Sequence, residues 1–246
     1  MKTIALIPAR YDASRFPGKM LAMLFDKPVI RLTYEAVETT GLFDDVAVVT
    51  DSPLIYEAVG SFGGKVVMSK KEHECGSDRI AEVAADTDAD IIVNVQGDEP
   101  FIRRQPLADL LSVFKTAESE KIDLASLMHP IHLSEHIDDP NRVKVVVDKD
   151  NFALLFSRSA IPYARNKDII PVYYNHIGVY AFRRDVLAEF TGMPVGILES
   201  TEKLEQLRYL ENGKKIKMVI TEFIGQGIDT PEDLERAKNI LKKLNK

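Results

Sequence analysis

The 246-residue chain is predicted to adopt an α/β fold, in which a mainly parallel sheet is flanked by helices. In its first half, Val- and Ile-rich segments alternate with helical patterns, and such alternation produces right-handed crossovers and a parallel sheet. In its second half, apolar segments follow one another closely, which indicates an inserted β-hairpin region. No internal repeat, linker or low-complexity segment interrupts the pattern. A single domain over residues 1–246 is therefore expected.

The first half contains the strands and helices of the parallel sheet. Strands are predicted where β-branched residues are dense, at residues 2–8, 45–50, 65–68 and 90–96. Helices are predicted between and after them, at residues 29–39, 54–61, 78–85 and 105–117.

The second half opens with the hairpin region and then returns to the core. Strands are predicted at residues 142–148, 152–157 and 173–182, with the DKDN sequence as a hairpin turn. A charged helix at residues 199–211 and a strand at residues 216–221 follow. The last helix begins after Thr230, because a Thr cap, Pro231 in the first position and acidic residues in the first turn are typical helix-start signals.

Composition excludes several classes of protein. A net charge of -6 argues against a general nucleic-acid binder, which is usually basic. No apolar stretch approaches the roughly 20 residues that span a bilayer, so we expect neither membrane insertion nor a signal peptide. The single cysteine, Cys75, cannot form an internal disulfide and agrees with a cytoplasmic location.

A local basic cluster follows the first predicted strand. Ligands of parallel sheets bind at the carboxyl ends of strands, and the loop after Pro8 lies at such an end. Guanidinium, ammonium and backbone N–H groups there can hold phosphate oxygens; the loop contains Arg10, Ser14, Arg15, Gly18 and Lys19. The loop matches neither the P-loop nor the dinucleotide-binding glycine pattern, so a P-loop ATPase and a nicotinamide enzyme are not supported. Its composition alone fits a solvated basic turn equally well.

Seven motifs resemble one enzyme family. The stretch IPARYDASRFPGKML is similar to the signature of sugar-activating cytidylyltransferases, in particular the 3-deoxy-manno-octulosonate cytidylyltransferase family. The others follow in order along the chain: GSDRIAE, VNVQGDEP, FSR, NHIGVYAF, EKLEQLR and GIDTPEDL. The resemblance covers almost the whole chain. It implies a nucleotidyltransferase-type (Rossmann-like) fold, a homodimer, and the use of CTP and Mg²⁺.

The resemblance also implies an activity. The enzyme would transfer CMP from CTP to the anomeric hydroxyl of 3-deoxy-D-manno-octulosonate (Kdo), giving CMP-Kdo and pyrophosphate for lipopolysaccharide biosynthesis. Residues 1–120, approximately, would bind the nucleotide, residues 121–215 would bind the sugar and form the dimer, and residues 216–246 would return to the core. Alternatives are a cytidylyltransferase for 8-amino-Kdo or for another acidic sugar such as a sialic acid, and a non-catalytic nucleotide-sugar sensor.

The nucleotide and metal residues follow from the same resemblance. The implied nucleotide-binding residues are Arg10, Ser14, Arg15, Lys19, Ser77 and Arg79, and the implied catalytic residues are Lys19, Asp98 and Asp229. Asp98 and Asp229 would hold Mg²⁺, which prefers carboxylate and phosphate oxygens. Taken alone, Asp229 also fits a helix N-terminal acid, and Arg79 fits a surface ion pair with Glu82. Lys19 is expected to be exposed and to contribute little to folding stability.

The implied sugar-binding residues come mainly from the second half. A sugar acid with several hydroxyls needs a guanidinium and hydrogen-bonding side chains; the candidates are Gln96, Arg158, Arg165, His176, Tyr180, Glu205 and Gln206. From the residues alone, His176 and Tyr180 also fit structural roles, and Glu205 and Gln206 fit a solvated helix face. No residue is assigned as a general base.

Overall fold

The structure, a computed structural model, describes residues 1–13, 15–71, 73, 75–133 and 136–244. The chain divides into two compact units. Unit 1 contains Met1–Gln105 and Gly225–Lys246, and unit 2 contains Pro106–Ile224. The expectation of a single domain with three functional parts stays a prediction.

The described strands and helices are numbered in chain order. The strands are β1 (Thr3–Ala9), β2 (Met23–Leu24), β3 (Lys27–Pro28), β4 (Asp45–Thr50), β5 (Val66–Met68), β6 (Ile91–Asn94), β7 (Leu124–Pro130), β8 (Lys144–Val147), β9 (Ala153–Ser157), β10 (Tyr174–Arg183) and β11 (Ile216–Ile220). The helices are α1 (Val29–Glu38), α2 (Pro53–Ser61), α3 (Gly76–Ala84), α4 (Arg104–Ser112), α5 (Arg184–Phe190), α6 (Ile197–Glu202), α7 (Gln206–Glu211) and α8 (Pro231–Leu244). None of these described helices has the length and apolar character needed to traverse a bilayer.

Unit 1 is built on a parallel sheet. Its strands lie in the order β6-β1-β4-β5, with Ile4 of β1 paired to Asp45 on one side and to Ile92 on the other. Every residue of β1 is buried, as expected for a central parallel strand, and helices α1, α2 and α3 pack against the sheet. The predicted α/β fold with a mainly parallel, helix-flanked sheet is confirmed, and the predicted strands of this unit end within two residues of the observed ones.

The last helix returns to unit 1, as predicted. Thr230 caps it, since the Asp233 N–H donates to Thr230 Oγ1 at 3.2 Å while the Asp233 carboxylate accepts from the Thr230 N–H at 2.9 Å. The helix is held by an apolar cluster of buried side chains from four segments: Leu24, Val29, Ile228 and Ala237. This packing determines where the residues just before α8 lie.

Unit 2 contains the predicted hairpin region. Strand β7 pairs with β11 in parallel and with β10 in antiparallel orientation, and β8 pairs with both β10 and β9 in antiparallel orientation. The DKDN sequence forms the β8–β9 turn: the Asp148 carboxylate accepts from the Phe152 N–H at 2.8 Å, and Asn151 has a φ of 58°. Asn is among the residues that tolerate this left-handed conformation.

Three features of unit 2 differ from the expectations. Strand β7 was not predicted, because its sequence LASLMHP contains no β-branched residue, although six of its seven residues are buried. Helix α5 was not predicted either. The predicted helix over residues 199–211 is two helices, since Lys203 adopts a φ of 54° and ends α6. A buried ion pair between Glu199 and Arg208 joins α6 to α7.

Candidate active site

The loop after β1 ends in a turn, and Lys19, directly after this turn, is buried. Gly18 has a φ of 72°, a conformation that favours glycine, and its N–H donates to the Tyr11 carbonyl at 2.8 Å. The turn places Lys19 at the start of a short 3₁₀ segment, where it is only 7% exposed. The expectation of an exposed Lys19 was therefore wrong, because its ammonium group lies against carboxylates of other segments instead of in solvent.

Lys19 lies between the two predicted metal ligands. Its Nζ donates to the carboxylate of Asp98, which follows β6, and to Oδ1 of Asp229 at 2.8 Å. The backbone also joins these segments, since the Ile228 N–H donates to the Asp98 carbonyl at 3.0 Å. The structure thus brings both aspartates to one ammonium group from distant parts of the chain. Their role as metal ligands stays a prediction.

Carboxylates are crowded around this ammonium group. Burial alone would lower the pKa of Lys19, but the charge of Asp98 and the hydrogen bonds with Asp229 and Asp98 outweigh it and raise that pKa. Neighbouring Glu99 accepts a hydrogen bond from the Gln226 N–H at 3.1 Å, and burial together with the charge of Asp98 raises its pKa to about 8. At neutral pH, Glu99 is therefore mostly protonated, and Lys19 balances the two aspartates.

A cavity of about 320 Å³ opens beside Lys19 within unit 1. Its wall includes six of the predicted site residues, namely Arg10, Lys19, Arg79, Gln96, Asp98 and Asp229. Cationic and anionic groups thus occupy one cavity at the carboxyl ends of β1 and β6, where ligands of parallel sheets bind.

Arg79 is a buried residue of this wall. It is 3% exposed, and its guanidinium NH2 group donates to the carboxylate of Asp51 at 2.6 Å. The alternative of a surface ion pair with Glu82 was wrong, because Glu82 instead contacts His73 Nε2 at 2.9 Å. Arg79 Nε is buried without a hydrogen-bond partner among the described residues. A guanidinium that Asp51 orients in the wall of the cavity suits an anionic ligand.

The remaining predicted nucleotide residues differ in exposure. Arg15 is exposed and pairs with Asp229, with 2.9 Å between its NH2 group and Oδ2. Arg10 is exposed, whereas Ser77 is fully buried in α3. Ser14 lies outside the described residues.

Three predicted sugar residues form a hydrogen-bonded cluster within unit 2. The Tyr180 hydroxyl donates to Gln206 Oε1 at 3.3 Å, and Gln206 Nε2 lies 3.4 Å from His176 Nδ1. The other ring nitrogen of His176 lies 2.8 Å from Ser126 Oγ. Burial lowers the pKa of His176 to about 3, so the imidazole is neutral at physiological pH.

The other predicted sugar residues are not in that cluster. Arg158 is directed to backbone carbonyls, those of Glu202 at 2.8 Å and Pro140 at 3.0 Å. Arg165 is exposed, and Glu205 directly precedes α7. Gln96 belongs to unit 1, where its amide donates to Asn94 Oδ1 at 3.4 Å.

Comparison with known proteins identifies the family. The sequence profile of the cytidylyltransferase family matches residues 4–216. A 3-deoxy-manno-octulosonate cytidylyltransferase of Flavobacterium johnsoniae is 59% identical, over 99% of this chain and 100% of its own length. One of Christiangramia forsetii is 56% identical, over 98% of this chain and 97% of its own length. The chain belongs to the 3-deoxy-manno-octulosonate cytidylyltransferase family.

Solved structures agree with this membership. A structure of CMP:2-keto-3-deoxy-manno-octonic acid synthetase complexed with CTP superposes on this cytidylyltransferase with a TM-score of 0.94. Its sequence is 40% identical, and the match covers 99% of this chain and 100% of that one. A 4-diphosphocytidyl-2C-methyl-D-erythritol synthase from Anaerococcus prevotii, with 16% identity and a TM-score of 0.63, shares the fold.

The cytidylyltransferase also contains site residues that the sequence did not single out. Asp51 follows β4 at its carboxyl end, so the rule that selected Asp98 would also have selected it. His73 lies in the cavity wall, and Ser126 lies beside His176, but neither has a sequence signal of its own. Among the described residues, no group of three or more His, Cys, Asp or Glu side chains is arranged to hold a metal ion.

Proposed function

We propose that the protein transfers CMP from CTP to the anomeric hydroxyl of Kdo, releasing pyrophosphate and forming CMP-Kdo. The observation that carries this proposal is the buried ammonium of Lys19 between Asp98 and Asp229, beside a cavity that also contains Arg10 and Arg79. The relatives named 3-deoxy-manno-octulosonate cytidylyltransferase, at 59% and 56% identity along nearly the whole chain, support the same reaction.

The cavity residues would position and neutralise the triphosphate. Arg79 is oriented by Asp51 in the cavity wall, so its guanidinium is positioned to bind a phosphate oxygen. Arg10 and Arg15 add exposed guanidinium groups, which bind phosphate bidentately. Gly76 begins α3 and contributes to the cavity wall, and a helix N-terminus favours anions. Phosphoryl-type transfers depend mainly on such positioning and charge stabilisation.

Lys19 would have two roles in this reaction. In the free enzyme it neutralises Asp98 and Asp229 and keeps the two carboxylates beside the cavity. With nucleotide bound, an ammonium at this position stabilises negative charge as it moves to the departing pyrophosphate. The side chain therefore supports both the structure of the site and its chemistry.

The donor chemistry of the site fits Mg²⁺. Asp98 and Asp229 provide hard carboxylate oxygens that already converge on one cationic group, and Mg²⁺ is usually bound by one or two carboxylates plus substrate phosphates. When bound, the ion would polarise the phosphate and lower the pKa of the attacking hydroxyl. Asp98 and Asp229 would hold it, while Lys19 and the arginines would hold the remaining phosphate charge.

We propose the sugar site within unit 2 around His176, Tyr180 and Gln206. Their hydrogen bonds to one another fix the orientation of an imidazole, a phenol and an amide, groups that suit a polyhydroxylated sugar. Arg158, Arg165 and Glu205 of the same unit remain proposed contacts, with the guanidinium groups as partners for the sugar carboxylate. Gln96, in the cavity wall of unit 1, stays a predicted sugar residue.

The same proposal includes a cytoplasmic homodimer that supplies activated Kdo for lipopolysaccharide biosynthesis. Large exposed apolar side chains in unit 2 support self-association, among them Tyr163 at 84%, Ile170 at 92% and Ile197 at 81% exposure. Sedimentation of the purified protein tests the dimer directly, and a single monomeric species would contradict it.

An assay of pyrophosphate release tests the proposed reaction. The enzyme is supplied with CTP and Mg²⁺ and with Kdo, 8-amino-Kdo or N-acetylneuraminate in parallel. We expect release with Kdo and its near abolition in Asp98→Asn and Asp229→Asn. The matched control is Asp168→Asn, which changes an exposed aspartate in unit 2 and should retain wild-type rates. Release with another sugar but not with Kdo would change the assigned substrate, and wild-type rates for both site variants at saturating Mg²⁺ would contradict the metal ligands.

A further inference from the structure

Ser126 lies opposite an irregularity in strand β10. The pairing of β10 with β7 passes from Ile177–Leu127 to Tyr180–Ser126, so two residues of β10 are extra at this point. The fully buried hydroxyl of Ser126 spans the bulge, lying 3.2 Å from the Ile177 carbonyl and 2.9 Å from the Val179 carbonyl. The same oxygen lies 2.8 Å from His176 Nε2.

The hydrogen count at Ser126 determines the direction of these bonds. A serine hydroxyl has one hydrogen, and a backbone carbonyl can only accept. Donating this hydrogen to His176 Nε2 would leave the serine lone pairs 3.2 Å and 2.9 Å from two carbonyl oxygens with no hydrogen between them. The hydrogen therefore points to the carbonyls of the bulge, and the Ser126 oxygen accepts from His176. Consequently His176 carries its proton on Nε2, and its Nδ1 is an acceptor.

The order of hydrogen-bond donors and acceptors continues from His176 to Gln206 and Tyr180. An acceptor at His176 Nδ1 requires the amide nitrogen of Gln206 to face it, at the observed 3.4 Å. The amide oxygen of Gln206 is then the atom that accepts from the Tyr180 hydroxyl at 3.3 Å. Phe156 and Tyr180 enclose the imidazole, with ring centroids 4.9 Å and 5.4 Å from it, so the ring has little freedom to reorient.

We infer that Ser126 is a positioning residue for sugar binding, because its hydroxyl fixes the Nε2–H tautomer of His176 and thereby the orientation of Gln206 and Tyr180. This inference rests on the proposed function, since it assigns the order of hydrogen-bond donors in the proposed sugar site. One hydroxyl beneath the site thus determines which atoms of three side chains donate and which accept. The lowered pKa of His176 agrees with this arrangement, because a protonated ring would place a second donor against the amide nitrogen of Gln206.

Nitrogen NMR of histidine-labelled protein tests the tautomer without any substrate. The chain has 5 histidines, and the His176 signals are assigned by their absence from the spectrum of His176→Gln. We expect wild-type protein to show a proton on Nε2 and none on Nδ1 from about pH 5 to pH 8. In Ser126→Ala we expect a mixture of tautomers. A wild-type proton on Nδ1, or an unchanged tautomer in Ser126→Ala, would overturn the inference.

Steady-state kinetics tests the consequence for binding. Loss of one positioning hydrogen bond should raise the KM for Kdo about tenfold in Ser126→Ala, with the KM for CTP changed less than about twofold. Ser126→Thr retains the hydroxyl and should keep the wild-type tautomer and KM. Thr40→Val is the matched control: it removes a buried hydroxyl that donates to the Val37 carbonyl, and it should leave both KM values unchanged. Equal increases in both KM values for Ser126→Ala would overturn the positioning role. If Ser126→Ala does not fold, the wild-type spectrum and the KM values of Ser126→Thr still test the tautomer and the positioning role. An absence of wild-type turnover with Kdo would contradict the proposed function and leave the tautomer result intact.

Discussion

Lys19→Met removes one ammonium group and retains most of the aliphatic stem. Asp98 and Asp229 would then face each other beside the half-buried Glu99, with no lysine between them. Breaking a buried ion pair costs about 3–5 kcal/mol, because the remaining charge is uncompensated. Asp229 is 45% exposed, so solvent screens part of this effect, and we expect a loss of about 2–4 kcal/mol in the free energy of unfolding.

Urea unfolding at about pH 7.5 without nucleotide or divalent metal measures this loss. Pairing raises the pKa of Lys19 above its ordinary 10.5, so the stabilisation is fully present below pH 10.5 and is lost only as the pH rises through the raised value. The matched control is Lys65→Met, which breaks an exposed pair with Asp45 and should cost less than about 1 kcal/mol. A double variant, Lys19→Met with Asp98→Asn, should be more stable than Lys19→Met alone, because it also removes one of the uncompensated charges.

Two results would refute this reasoning. One is a loss for Lys19→Met no larger than that for Lys65→Met, which would mean that water compensates the carboxylates fully. The other is a double variant less stable than Lys19→Met, which would mean that the charge of Asp98 is favourable even without its partner. Either result would remove the structural role that we assign to Lys19.

Three further predictions concern other residues. The pKa of His176 is about 3 in the folded state and 6.5 ordinarily, so the unfolded state takes up the proton first, and the free energy of unfolding should fall by about 1.6 kcal/mol between pH 6.5 and pH 5. Urea unfolding should show a shallower fall in His176→Gln, and equal slopes would contradict the pKa. Arg208→Leu should cost about 3–5 kcal/mol in the same measurement, because it leaves the buried Glu199 carboxylate unpaired, and a second change, Glu199→Gln, should restore part of the loss. Cys75→Ser should retain pyrophosphate release, since a serine hydroxyl can replace the thiol that donates to Asp78 at 3.2 Å; complete loss of activity with unchanged unfolding would show that the thiol is required.

Much of unit 1 was predictable because its signals are local. Strands β1 and β4 have dense β-branched residues, and Asp98 follows an apolar strand at its carboxyl end. Asp229 was recognisable only through the family motif, since its local sequence equally fits an ordinary helix start. Its approach to Lys19 depends on the packing of Ile228 in the cluster beneath α8, and no local pattern encodes that contact.

The features that were missed depend on distant contacts. Strand β7 is paired with a strand on each side, and this pairing outweighs the low β-propensity of its residues. Arg79 pairs with Asp51, 28 residues earlier, instead of with Glu82 on its own helix. The role of Ser126 depends on a bulge in a strand 50 residues away, and nothing in its own segment distinguishes it from any buried serine.

The contact between Lys19 and Asp229 joins residues 210 positions apart. During synthesis, the amino-terminal half can form β1, β4, β5 and β6 and already hold Lys19 and Asp98, because these contacts need only the first hundred or so residues. The second carboxylate arrives only when α8 has been made and has docked on its apolar cluster. In a partly synthesised chain, Lys19 therefore has Asp98 but not Asp229 to pair with, and its contact with the second carboxylate requires the last segment of the chain.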